Sequence, residues 1–236
     1  MYARAEQSDR QGDRTDPTAA AGGEPQDTRG RYALLDDAIR GLRRPVTWHQ
    51  DRERASRWAR TTLADDRLRI VDVQTTGLEA PWAVQIAVID RRGETLLDDV
   101  LDPQAPITPG ALALHGICDQ QTARQQTFTE LLRRLRTALD GQHPLAYNAP
   151  FGLAVLEREV QRAVPSRDPA TLAAARWQDG IAPYAAWTGL WSAKRGSCRC
   201  QRLGGQYNAL EHCHALLKLL HAMSKGRGFE FSEGGS

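Results

Sequence analysis

The stretch Ile70-Val71-Asp72-Val73-Gln74-Thr75-Thr76-Gly77-Leu78 decides the fold. It grows out of Leu68–Val73, a short run rich in β-branched residues that predicts a strand. An acid, Asp72, stands at the strand's end, and a small polar loop, Thr75 to Gly77, follows it. Upstream, Ala55, Trp58, Ala59, Thr62 and Leu63 fall on one helical face, so a helix runs into this strand. Downstream, Trp82–Asp90 predicts a second strand and Glu94–Leu101 a third, joined by a tight turn through Arg91, Arg92 and Gly93. The Pro-containing segment Pro103–Gly116 reads as a loop.

Phe128, Leu131, Leu132, Leu135 and Leu139 then give an amphipathic helix. Pro144–Tyr147 suits a buried strand, and Pro150 opens the next helix near its first turn, with Leu153, Leu156, Val160 and Ala163 on its inner face. A helix carrying Trp177, Ile181, Tyr184, Thr188 and Trp191 follows, and the last runs from about Asn208 to Met223. Three adjacent strands, a helix, a further strand and three helices predict an α/β fold: a mixed sheet flanked by helices, as one domain over 67–224. Residues 1–30 lack any hydrophobic period and read as a disordered tail. A helical extension over 31–66 and a flexible tail over 225–236 complete the plan.

Composition narrows the function classes. A chain of 236 residues with 41% hydrophobic and 25% charged residues has the make-up of an ordinary soluble protein. No apolar run approaches the roughly 20 residues of a membrane span, and the N-terminus lacks the apolar core of a secretory signal. A cytoplasmic protein with no membrane partner is therefore expected. The net charge of +2 does not by itself announce a nucleic-acid binder. The positive charge is almost all arginine, which grips phosphate in a two-pronged way. Four cysteines, Cys118, Cys198, Cys200 and Cys213, argue for reduced thiols rather than a disulfide scaffold.

The opening stretch resembles the first motif of the DEDDh (proofreading-type) 3′→5′ exonucleases, a strand ending in Asp-x-Glu-Thr-Thr-Gly-Leu. The resemblance continues through Gln85–Ile89, Pro106-Ile107 and His115-Gly116-Ile117. Tyr147-Asn148-Ala149-Pro150-Phe151-Gly152 is similar to the family's His-Asn-x-x-Phe-Asp, and Tyr207–Cys213 to its His-Arg-Ala-Leu-x-Asp-Cys. Motifs in this order imply a ribonuclease-H-like fold. They imply, too, a site in which four carboxylates hold two magnesium or manganese ions around a phosphodiester and a histidine serves as general base.

This chain departs from that pattern at nearly every functional position. Asp72 keeps the first acid and is the metal ligand the resemblance retains. Gln74 replaces the glutamate, Gly152 the second aspartate, Tyr207 the histidine and His212 the last aspartate. A dication held largely by one carboxylate binds weakly, since losing even one supporting partner of a ligand costs about 10–100-fold in affinity. The resemblance therefore implies a nucleic-acid-binding relative with little or no hydrolysis, a pseudoenzyme. Its partner would be a DNA or RNA 3′ end, single strand favoured, contacted by Thr75, Thr76, Gly77, Leu78, Asn148, Phe151, Arg195, Arg199 and Arg202. Mg or Mn would be its cofactor if active; otherwise it would need none. One alternative is an active exonuclease with substitute ligands, Asp72 with His212 and Glu211. Another is a protein-interaction module.

Plainer roles stand beside these. Asp72 would cap the Thr75–Gly77 loop, Asn148 would satisfy turn backbone groups, Phe151 would pack in the core and His115 would be structural. Cys198, Cys200, His212, Cys213 and His214 have the chemistry of zinc ligands but not the spacing, and Cys213 lies on the apolar stripe of the last helix. Trp177, Tyr184, Trp187 and Trp191 form a row that packs in the core or stacks on bases. Lys194, Arg195, Arg199 and Arg202 form a basic segment, a solvated loop or a phosphate-contacting strip.

Overall fold

The computed structural model describes residues 48–165, 172, 175–192, 194–204 and 207–226. The predicted tail over 1–30, the first part of the helical extension (31–47) and the C-terminal stretch from 227 lie outside these residues. The chain enters through α1 (Trp48–Ala64) and delivers it to β1 (Leu68–Thr75), β2 (Ala83–Asp90) and β3 (Thr95–Val100). These pair antiparallel, Asp72 opposite Ala87 and Val88 opposite Leu97, with a register shift after Gln74 in the first pair and after Val88 in the second. After α2 (Pro109–His115), α3 (Asp119–Thr122) and α4 (Phe128–Leu139), the chain adds β4 (His143–Ala146) parallel to β1. Helix α5 (Ala149–Ala163) leads to β5 (Gln178–Asp179), parallel to β4. The finished sheet has the order β3-β2-β1-β4-β5. Helix α6 (Ile181–Thr188), a hairpin of β6 (Trp191–Ser192) and β7 (Ser197–Cys198), and α7 (Ala209–Ser224) complete the fold.

Strand periodicity sorts the core into two layers. Leu68 and Ile70 face one side with Ala87 and Ile89, packed under α1, α6 and α7. Val71 faces the other with Ile86 and Val88, under α4 and α5. Helices on both faces explain why β2 is apolar from Ala83 to Ile89 and almost wholly buried, apart from the one polar exception of Gln85. No helix among the described residues is long and apolar enough to cross a membrane.

The expected mixed sheet flanked by helices is what forms, with differences in detail. Pro103–Gly116 is not all loop: Thr108 caps α2 by accepting a hydrogen bond from the Ala111 N–H, Pro109 occupies the first turn and Gly116 ends the helix at φ 72°. Proline at that position starts a helix as readily as it breaks one. The predicted helix from Trp177 to Trp191 is shorter, Ile181–Thr188. Trp177 precedes the two-residue β5 and Trp191 begins β6, so the aromatic row is broken. Trp177 packs on the α5 layer, whereas Tyr184 and Trp187 belong to the α1–α7 layer.

Candidate active site

Asp72 and Gln74 sit two residues apart on β1 and therefore point to one face, toward α7. Gln74 Nε2 donates to Asp72 Oδ2 at 2.7 Å. From α7, His212 Nδ1 comes to 3.3 Å from the same carboxylate oxygen and 3.4 Å from Gln74 Nε2. Tyr207 lies over His212 edge to face, ring centroids 5.5 Å apart. The Asp72 carboxylate is thus engaged by an amide and an imidazole, not turned toward the Thr75–Gly77 loop as a cap. That loop holds itself: Thr75 Oγ1 donates to the Gly77 carbonyl at 2.8 Å, and Thr76 Oγ1 accepts from the Trp82 N–H at 3.0 Å.

Helix α7 is aimed at Asp72 by its first turn. Asn208 Oδ1 accepts from the Leu210 and Glu211 N–H groups, and buried Gln85 on β2 accepts from the Ala209 N–H at 3.0 Å. Gln85 also donates to Asp98 on β3 at 2.8 Å, so one side chain stitches two strands to the helix that carries His212. The sequence places Gln85 in a motif but gives no sign of this part.

The opposite wall comes from the end of β4 and the start of α5. Asn148, Phe151 and Gly152 line a small cleft with Asp72, Val73 and Trp177. Asn148 is exposed and its side chain makes no capping bond, so it is not the turn-satisfying residue expected. Phe151 is half-buried against the α4–α5 layer. A Cβ built on Gly152 meets nothing within 4 Å, so the position has open space for a larger side chain. Trp177, expected on a helix, was legible only as an aromatic; the topology places it in the cleft.

Around this centre Leu78 projects with 73% of its surface exposed, and Gly77 lets Thr108 approach to 3.1 Å of where a Cβ would stand. Arg195, Arg199 and Arg202 are exposed on or after the β6–β7 hairpin. Tyr147 donates its hydroxyl to the Gln201 carbonyl, tying this segment to the residue just before Asn148. Burial above all pushes the Tyr147 phenol far above its ordinary range, so it remains a neutral donor.

The donor set does not fit a pair of hard cations, which want several anionic oxygens. Among the described residues no group of three or more His, Cys, Asp or Glu is placed to hold a metal ion. Glu211 is exposed and forms no such group with Asp72 and His212. Cys213 is fully buried, its thiol directed at the Ile70 and Ala87 carbonyls, and burial raises its pKa well above the ordinary value. It is an inert core residue, while His214 faces away beside Gly93.

No protein-family model matches the chain. Over 100 residues it is 31% identical to an uncharacterized exonuclease of Escherichia phage 186, covering 42% of this chain and 49% of that one. Over 104 residues it is 24% identical to DNA polymerase III subunit epsilon of Pasteurella multocida, covering 39% and 41%. The chain spans less than half the length of either relative. Among solved structures, the zinc-ion-bound form of the E. coli ExoI–ssDNA complex is similar with a TM-score of 0.51 and 16% identity, over 64% of this chain and 39% of that chain. At that identity the likeness establishes the fold.

Proposed function

We propose that this chain, a relative of the DEDDh-type 3′→5′ exonucleases with a ribonuclease-H-like fold and degenerate active-site motifs, binds nucleic acid in the family's groove while hydrolysing it weakly or not at all. The observation that carries this reading is the state of Asp72. Where the family gathers four carboxylates, one remains, and its oxygen is engaged by Gln74 and His212. Hydrolysis in the family depends on divalent ions that sharpen a water and neutralise the leaving oxygen. A carboxamide, a glycine, a phenol and an imidazole do not supply the anionic oxygens those ions need.

The same losses favour binding. Each missing carboxylate removes a charge that repels phosphate, and the arginines at 195, 199 and 202 stand exposed on the segment that Tyr147, next to Asn148, ties down at Gln201. Leu78 offers an apolar edge to a base, and Asn148 and Phe151 line the cleft beside Asp72. The similar ExoI structure is a complex with single-stranded DNA, which supports a single strand as the occupant.

Two measurements test the proposal. The purified chain, incubated with a labelled single strand and Mg²⁺ or Mn²⁺, is expected to retain the strand in a mobility shift without shortening it. Release of nucleotides at an enzyme-like rate would refute inactivity, and the absence of any salt-dependent binding would point instead to a protein-interaction module. The second measurement is reconstruction. Gln74→Glu, Gly152→Asp, Tyr207→His and His212→Asp together are expected to create metal-dependent 3′ shortening that the native chain lacks, because position 152 has room for the added side chain.

A further inference from the structure

A second, larger cleft lies at the other end of the sheet. Arg67 stands just before β1, Gln142 and His143 lead into β4, Arg133 and Arg136 lie one turn apart on α4, and Arg176 precedes β5. Together they line a cavity of about 800 Å³, a size ordinary for small-molecule sites. β1 and β4 are parallel, with Leu68 opposite His143, so this cleft sits at their N-terminal ends. The Asp72 cleft sits toward their C-terminal ends, roughly 16 Å away for five residues of strand. The two share no lining residue.

Among the described residues the charge in this cleft is unbalanced: four arginines and one carboxylate, Asp140, line it. His143 is paired with Asp65, which fixes its ring; the Arg67 N–H donates to the same carboxylate at 3.0 Å, and the Arg67 guanidinium pairs with it loosely, at 3.9 Å. Among the described residues no ion pair joins Arg133, Arg136 or Arg176 to an acid. Like charges three apart on a helix destabilise it. Arg136, in the last turn of α4, is partly compensated by the helix's terminal carbonyls. That account does not extend to Arg67, Arg133 and Arg176, which come from three different elements and converge on the same space.

One further feature says what kind of anion fits. Leu132 and Leu139 add apolar wall to the basic rim. We propose that this cleft binds a phosphorylated nucleoside: the arginines take the phosphates and the leucines flank the nucleoside. Phosphate on arginine is the bidentate, charge-assisted pairing. The group is either a free nucleotide or the phosphorylated 5′ end of a strand. The inference does not rest on the nuclease reading, because it uses neither the motifs nor the Asp72 site.

Calorimetric titration of the full chain at low salt with ATP, and separately with pyrophosphate, tests it. Saturable ATP binding tighter than that of pyrophosphate is expected. Binding is expected to fall about tenfold or more in R133Q/R136Q, for loss of charge-assisted bonds. The charge-matched R57Q/R60Q on α1 should leave it unchanged. Displacement of ATP by a 5′-phosphorylated dinucleotide but not by its unphosphorylated form assigns the site to a strand end; no displacement by either assigns it to free nucleotide. If R133Q/R136Q melts early, Arg176→Gln, outside any helix, carries the same expectation. No saturable heat at millimolar ATP and pyrophosphate, or an equal loss in both double variants, overturns the site. ATP no tighter than pyrophosphate overturns its nucleoside half.

Discussion

His115 shows how one side chain can serve structure in only one protonation state. Its Nδ1 accepts from the Ile117 N–H and its Nε2–H donates to the Thr75 carbonyl, both at 3.1 Å. A protonated ring would bring two donors together at Nδ1, and burial lowers its pKa from the ordinary 6.5, opposed by the Thr75 carbonyl. The unfolded chain therefore takes up the proton first on acidification. Stability from this histidine is complete above about pH 6.5 and is lost as pH falls toward the folded value. Urea midpoints followed from about pH 7 to pH 5 should decline less steeply in His115→Gln than in the native chain; identical slopes would remove His115 from the account. Ala80, in the loop after Leu78, is held in the left-handed region at φ 45°. Ala80→Gly is expected to stabilise the chain by about 1 kcal/mol in thermal melts, the left-handed penalty less the glycine's added freedom when unfolded.

At the scale of elements, the cleft is the meeting of β1, the start of α5 and the first turn of α7, and buried polar ties hold both helices in place. Gln85 fixes α7. Glu159, wholly buried on α5, accepts from the Ala83 N–H at 2.9 Å and from Arg162 Nη2 at 2.6 Å, fixing α5 to the start of β2. Burial pushes the Glu159 carboxyl up, and the Ala83 and Arg162 bonds oppose it. Arg162 is also stacked over Trp82 at 4.0 Å. Glu159→Ala leaves a buried N–H without its acceptor and is expected to destabilise by about 2–3 kcal/mol in chemical denaturation. A change below about 0.5 kcal/mol, the range of ordinary surface substitutions, would show that the tie does not hold the helix.

Across the whole molecule the two ends of the sheet differ in charge. One end keeps a single acid, Asp72, in its cleft; the other concentrates arginine. Single-strand affinity should fall as salt rises, in proportion to the phosphates neutralised. Replacing Arg199 and Arg202 with Gln is expected to flatten the plot of log affinity against log salt by about one for each phosphate left without its arginine, read by fluorescence anisotropy across a salt series. An unchanged slope would take those arginines out of the nucleic-acid path.

The chain order of the three adjacent strands and the fourth, and a mixed sheet flanked by helices, were legible in the sequence. They depend on local periodicity and on motifs in a fixed order, and residue spacing carries both. Helix α2 and the end of the Trp177 helix were not, because proline and aromatic residues serve loop, helix and strand alike until neighbours compete for them. Nor could the sequence say that Gln74 and His212 close on the Asp72 carboxylate, or that arginines at 67, 133, 136 and 176 share one cleft. Those facts are distances between residues far apart in the chain, and only the packing of helices on the sheet sets them.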